Sequence, residues 1–314
     1  MHFLLNTKIL KEGIEVVNHA TAAGNNITPI LENILISTQF KRILLTANNL
    51  EIAIEYVINE GLNIKSEGSF TVSSKFLSSY VGLLPDDEVE LEALPNTSLS
   101  FKTPTSETKI KGIEASKFPL IPTFKEDFSF TLDATELKKA IEKTLFSTAE
   151  GNIRPTLAGI YLSLTENQVI FASTDSFRLS EYKMKHSFNV AKPISIIIPS
   201  KTALELSRIL PESGPVELFL NENQLLVVFG NIKLFSRLLN GHFPDYRSFF
   251  PKGYSTKGVI MRSDLIMALK RINLISRENN YNTRMSFSAD NGLELSTGDT
   301  EIGAGRVVVP ASIE

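Results

Sequence analysis

The amino-acid sequence predicts an α+β fold assembled from tandem copies of one module of roughly 125 residues, each with two helices on one face of antiparallel sheets. Three observations predict it. Four landmarks recur in the same order at offsets of 125 to 127. Strand-type alternation of apolar and polar residues fills most of each copy and is interrupted by helical stripes. The helical segments also differ in charge from the chain around them.

Each module opens with a strand and a helix. Phe3-Leu4-Leu5 leads into residues 8–20, and 127 positions later Phe130-Thr131-Leu132 leads into residues 134–147. Leu10 and Ile14 fall on Leu137 and Ile141. A third opening, Val259-Ile260-Met261, leads into residues 263–277, where Ile266, Leu269 and Leu274 are expected to carry the apolar stripe. A pair of strands with a polar turn follows. Residues 43–49 match 169–175 and 293–299, and Asn, Asp and Gly mark the turns.

The second helix runs from Ser73-Ser74-Lys75 to Leu84-Pro85, and one copy later from Pro199-Ser200-Lys201 to Leu210-Pro211. Serine is expected to cap these helices, and proline to stop them. An acidic strand follows each (Val89-Glu90-Leu91; Val216-Glu217-Leu218), and the copies close at Lys117-Phe118-Pro119 and His242-Phe243-Pro244. The expected domains are residues 1–126, 127–255 and 256–314. The third copy stops after its first helix and first strands, roughly 65 residues short of a full module, so its second half is expected to be missing and a sheet edge unpaired.

Composition removes several function classes. The chain has no cysteine, which excludes disulfides and thiolate metal sites. Its four histidines, His2, His19, His186 and His242, stand far apart. Apolar runs such as residues 194–199 are too short to cross a bilayer, and the N-terminus is charged too soon for an export signal. A cytoplasmic protein with no membrane partner is expected, and the glycosylation sequons at Asn26 and Asn96 are read as chance. There is no phosphate-binding Gly-Lys-Ser/Thr loop, no Gly-x-Ser-x-Gly elbow and no paired metal-binding histidines. Gly303-Ala304-Gly305 lacks the context of a dinucleotide loop. Asp86-Asp87 read as a solvated turn, and Asp175 beside Arg178 as an ion pair or turn hydrogen bond. No catalytic residue, metal or cofactor is expected, and the chain reads as a non-enzyme.

The five predicted helices together carry +5 in a chain of net −3, so the remainder carries −8. Solubilising lysines are the ordinary reading of any one such residue. A bias shared by four of five helices points instead to a surface that attracts phosphates without reading sequence.

At this point the residues resemble the bacterial DNA polymerase III β subunit, the sliding-clamp family. The resemblance spans the whole chain. It rests on residues 173–180 (Ser-Thr-Asp-Ser-Phe-Arg-Leu-Ser), residues 241–247 (Gly-His-Phe-Pro-Asp-Tyr-Arg), Ile198-Pro199-Ser200-Lys201, and Thr28-Pro29-Ile30-Leu31 with Asn33. It implies the DNA-clamp fold, with two chains closing head-to-tail into a ring whose helices face the DNA. The implied function is a non-enzymatic processivity factor that encircles duplex DNA. The implied partners are double-stranded DNA of any sequence, the DNA polymerase III alpha subunit, the clamp loader, other clamp-binding-motif proteins, and a second copy of the chain.

Carried onto this sequence, the resemblance implies DNA contacts at Lys8, Lys11, Lys75, Lys138, Lys139, Lys143, Arg154, Lys201, Arg208, Lys270 and Arg271. The implied partner-peptide pocket uses Leu157, Thr174, Arg178, Leu179 and Pro244, with Phe249 on its rim. Lys109, Lys111, Leu274 and Ile275 are the implied dimer contacts. The chain departs from the family at several points. Ser176-Phe177 stand where many clamps have Gly-His, and Ser248 where a second arginine is common. Asn25 replaces a basic residue, Pro155-Thr156 replace an aromatic pair, and residues 300–305 replace an acidic strand. These departures and the short third copy leave an alternative: a truncated relative acting as a protein-interaction module that closes no ring. A further alternative is that the chain is part of a longer product.

Overall fold

The structure, a computed structural model, describes residues 1–22, 28–85, 87–151, 154–185 and 193–314. Asn25, Asn26, Asp86 and His186 lie outside the described residues. The chain divides into two compact units, Met1–Phe243 and Pro244–Glu314.

In the first unit, strand His2–Asn6 feeds helix α1 (Thr7–Asn18), and helix α2 (Ser74–Leu83) follows later in the same copy. The second copy repeats this with strand Phe128–Asp133, helix α3 (Ala134–Thr144) and helix α4 (Ser200–Ile209). Asn6 Oδ1 accepts from the Lys8 amide at 2.9 Å, and Asp133 Oδ1 accepts from the Thr135 amide at 3.0 Å, so each opening helix has a side-chain cap. Leu10, Ile14 and Val17 are buried on α1, and Leu137 and Ile141 at the matching places on α3, one stripe per helix. Gly13 lets α1 lie close on its sheet: a Cβ there would sit 2.7 Å from Leu45 Cδ1 and 2.9 Å from Tyr56 Cδ1.

The expected serine caps of the second helices are not formed. Ser73 precedes α2 without a side-chain cap bond, and Pro199 precedes α4. Ser74 Oγ instead donates to Asn18 Oδ1 at 2.7 Å, which joins α2 to the end of α1. A serine hydroxyl bonds whichever acceptor packing brings near, and here that acceptor is on the neighbouring helix.

One antiparallel sheet runs through both copies. Its strand order is Phe128–Asp133, Pro215–Leu220, Gln224–Phe229, Ile232–Arg237, Ile52–Ile58, Arg42–Asn48, Asn33–Gln39, Gly68–Ser73. The join is the pairing of Ile232–Arg237 with Ile52–Ile58, which sets Leu234 opposite Ile54. The expected boundary near residue 126 therefore falls inside a continuous structure. A five-stranded sheet (Leu62–Ser66, His2–Asn6, Glu88–Leu94, Ser98–Thr103, Ser106–Lys111) belongs to the first copy. A four-stranded one (Leu179–Lys185, Gln168–Thr174, Gly159–Leu164, Ile194–Pro199) belongs to the second. One apolar core links all three sheets.

The helices also form a layer. α1 packs on α2, and α3 on α4. His19, at the end of α1, meets Glu205 of α4 with Nδ1 and Oε2 2.6 Å apart. The contacts run α2–α1–α4–α3.

The second unit holds helix α5 (Arg262–Ser276), the strand pair Gly258–Ile260 and Ala311–Ile313, and the three-stranded sheet Arg284–Ser288, Gly292–Ser296, Arg306–Val309. Its core is Ala268, Ile272, Leu293, Leu295 and Val309. The stripe expected on α5 needs correction: Ile266 is 37% and Leu274 73% exposed, while Ala268 and Ile272 are buried and Leu269 half-buried. Counted from the helix starts, Ala268 and Ile272 occupy the places of Gly13 and Val17. Apolar residues lie all round α5, so spacing alone admitted two faces. Thr300 and Gly303 bond each other in a tight turn. Among the described residues no helix is long and apolar enough to cross a membrane.

Candidate nucleic-acid interface and peptide site

The cations expected to meet DNA divide into two groups. Lys8, Lys75, Lys143, Lys270 and Arg271 are exposed, and among the described residues no group bonds their side chains. The others are engaged. Lys138 pairs with Glu212 at 3.0 Å and Lys201 with Glu51 at 3.2 Å. Arg208 bonds both oxygens of Glu205 at 2.9 and 3.1 Å. Lys139 pairs with Glu136 at 3.7 Å and lies over the Tyr182 ring; Tyr182 first, then Glu136, raises its pKa. Exposed pairs of this kind contribute little to stability, so a phosphate can displace the carboxylate at small cost. Lys11 has a structural task as well: its Nζ donates to the Leu84 carbonyl at 2.9 Å and closes the end of α2.

Arg154 does not join the helical cations. Its Nη1 donates to Ser176 Oγ at 2.5 Å, in the turn between strands Gln168–Thr174 and Leu179–Lys185. That turn is held from within. Thr174 Oγ1 donates to the Arg178 carbonyl at 2.7 Å and accepts from the Ser176 amide at 3.1 Å. Asp175 Oδ1 accepts from the Phe177 and Arg178 amides at 2.9 and 3.0 Å, and its Oδ2 accepts from Arg178 Nε at 2.9 Å. Burial acts to raise the Asp175 pKa, but these amides and Arg178 outweigh it and hold the carboxyl below its usual range. Asp175 thus makes both the ion pair and the turn hydrogen bonds. Ser176 sits at φ +80°, where a side chain is disfavoured and glycine is at ease.

The turn presents its outer side chains. Phe177 is 98% exposed, and the Arg178 guanidinium lies 6.0 Å from the centre of the Phe146 ring. Leu157 is buried in the short turn Pro155–Leu157, and Leu179 is half-buried. Arg154, Thr174, Ser176 and Arg178 are therefore brought together. Pro244 and Phe249 belong to the second unit, where the Pro244 carbonyl accepts from the Tyr246 amide at 2.8 Å and Phe249 is exposed. Phe146 was not singled out from the sequence; it follows the last turn of α3, where periodicity no longer predicts direction.

Lys109 and Lys111 lie on Ser106–Lys111, the outermost strand of the five-stranded sheet; Lys109 is 3.6 Å from Glu107. Leu274 is exposed and Ile275 half-buried on α5. Among the described residues no three His, Asp or Glu side chains converge as a metal site.

Residues 1–122 match the model of the DNA polymerase III beta subunit N-terminal domain, and residues 131–245 that of its central domain. A beta sliding clamp of Staphylococcus aureus is 31% identical over 291 residues, which are 90% of this chain and 77% of that protein. The chain belongs to the beta sliding clamp family. The sliding clamp of Bacillus subtilis shares the fold at a TM-score of 0.91 with 28% identity, over all of this chain and 85% of that one. The DNA polymerase III beta chain of Streptococcus pneumoniae does so at 0.93 with 25% identity and the same coverage. These relatives do not favour the interaction module that closes no ring.

Proposed function

We propose that two copies of this chain close into a ring around duplex DNA and hold the replicative polymerase and other replication and repair proteins to it, without catalysing a reaction. The observation that carries this is the helix layer α2–α1–α4–α3, on which Lys8, Lys75 and Lys143 are exposed and, among the described residues, unengaged. Scattered cations on flexible stems give weak contacts to any phosphate backbone, and enclosure turns weak contacts into persistent attachment with free sliding. Lys138, Lys139, Lys201 and Arg208 add to this surface by exchanging carboxylates for phosphates, and Lys270 and Arg271, exposed on α5 of the second unit, are read as further phosphate contacts.

The turn Thr174–Leu179, with Leu157, is read as docking partner peptides; Pro244 and Phe249, in the second unit, are read by themselves as peptide contacts. Arg154 is assigned to this turn. Leu274 and Ile275 are read as dimer contacts facing Lys109 and Lys111 of the other copy. Residues 1–126, 127–255 and 256–314 are read as the three repeat domains, and the protein as cytoplasmic.

The test is topological. The protein is loaded on a nicked circular plasmid and the DNA is then cut. Retention should be high on the closed circle and lost after linearisation. Equal retention before and after cutting would refute encirclement.

A further inference from the structure

A second turn of the same design lies one copy earlier. Asn48 Oδ1 accepts from the Leu50 amide at 2.8 Å, as Thr174 Oγ1 does from Ser176. Asn49 Oδ1 accepts from the Glu51 and Ile52 amides at 3.0 and 2.9 Å, as Asp175 does from Phe177 and Arg178. Leu50 occupies the apex at φ +73°, where Ser176 has +80°. A leucine there is doubly unfavourable. Its backbone is in the left-handed region, and its side chain is 53% exposed.

Grooves lie on both flanks of this apex. One is lined by Leu50, Leu120, Pro122 and Phe235, and Leu120 is 91% exposed. The other, about 590 Å³, continues past Leu239 to the start of α4. Arg237 borders both. It comes from the strand that joins the two copies, and its backbone amide donates to the Glu51 carbonyl at 3.2 Å. The Arg237 guanidinium has no partner among the described residues, while the nearby Glu51 carboxylate is taken by Lys201.

We infer that this groove is a second peptide-docking site, which takes an extended segment with a carboxylate on Arg237 and large apolar side chains against Leu50 and Leu120. The single unneutralised cation selects one carboxylate, and the apolar walls select side chains over a nucleic-acid backbone. The cation that Arg178 supplies within its own turn is here supplied by the neighbouring copy. The site uses a different turn from the peptide site proposed above, so the two stand or fall separately.

The probe is the synthetic peptide acetyl-Leu-Asp-Leu-Phe-amide, titrated calorimetrically into the full chain. Two peptides should bind per chain. R237A should weaken one site about tenfold, the loss of one charge-assisted hydrogen bond, and leave the other unchanged. L120D, a change at an exposed linker residue, should act on the same site, and R178A only on the other. Methyl resonances of Leu50 and Leu120 should shift on binding, and the shift should weaken in R237A. A stoichiometry of one, lost in R178A and unaffected by R237A and L120D, overturns this site and leaves the first. The reverse pattern overturns the first and leaves this one. No binding at millimolar peptide overturns both.

Discussion

The two units use the same opening helix and bury it to different depths. On α1, 12 residues long, Leu10, Ile14 and Val17 are wholly withdrawn from solvent. On α5, 15 residues long, Leu269 stands in the place of Ile14 and is only half-buried, and Leu274 is 73% exposed. The helical sequence does not cause the difference, because α5 is apolar on more sides than α1. The cause is what the helix packs on. α1 lies on the eight-stranded sheet and against α2, and α5 lies on a three-stranded sheet. Burial is a property of the partner surface as much as of the stripe.

The largest expected effect tests this directly. Ile14→Ala should cost about 4 kcal/mol, and Leu269→Ala at the equivalent position about 2 kcal/mol, because only the first leaves an enclosed cavity. Urea unfolding followed by probes in each unit checks it. The comparison breaks if the two substitutions cost the same, or if either moves the other unit's transition equally.

A smaller effect sharpens the contrast at the neighbouring position. Gly13→Ala should cost about 2 kcal/mol, since the added methyl meets Leu45 and Tyr56 side chains below contact distance. Ala268→Gly, at the equivalent place on α5, should cost about 1 to 2 kcal/mol, the helix-propensity difference plus the buried methyl that the core loses. Thermal unfolding of both variants checks that α1 lies too close to its sheet for a methyl that α5 accommodates in its core.

The smallest effect concerns charge. Hydrogen bonds from Lys65 and then from His2 lower the Glu90 pKa from 4.5 to about 2. A depressed carboxyl contributes stability above its unfolded value and loses that contribution as pH falls from about 4.5 towards 2. The group is close to solvent, so the contribution should stay below about 1 kcal/mol. Glu90→Gln should flatten the stability curve of the first unit in that acid window and leave the neutral-pH difference small. An unchanged acid slope would show that other carboxylates carry it.

Much of the fold was legible in advance, for a physical reason. Helix and strand periods are local, so the opening helices appear within a few residues of their expected limits. The turn at Asp175 was also legible, because an Asp beside amides it can reach bonds them whatever lies further away. The serine caps of α2 and α4 were not, since Ser74 found Asn18 on another helix. The stripe on α5 was misread because a helix apolar on several sides does not say which side will be covered. Arg154 was grouped with the DNA contacts from its loop, and only the packed chain brings it to Ser176.

By itself the sequence determined the repeat, the alternation of helix and strand, the basic bias of the helices and the sliding-clamp family, because all four are carried by neighbours in the chain or by motifs within one copy. The tertiary structure alone decided that two copies share one sheet, that Lys11 closes a helix instead of standing free, and that Arg237 has no counter-ion among the described residues beside an apolar groove. The first and the last depend on residues such as Ile54 and Leu234 meeting across the copies, and the second on α1 and α2 meeting within one. No local period encodes such a meeting; it follows from the burial of the whole core at once.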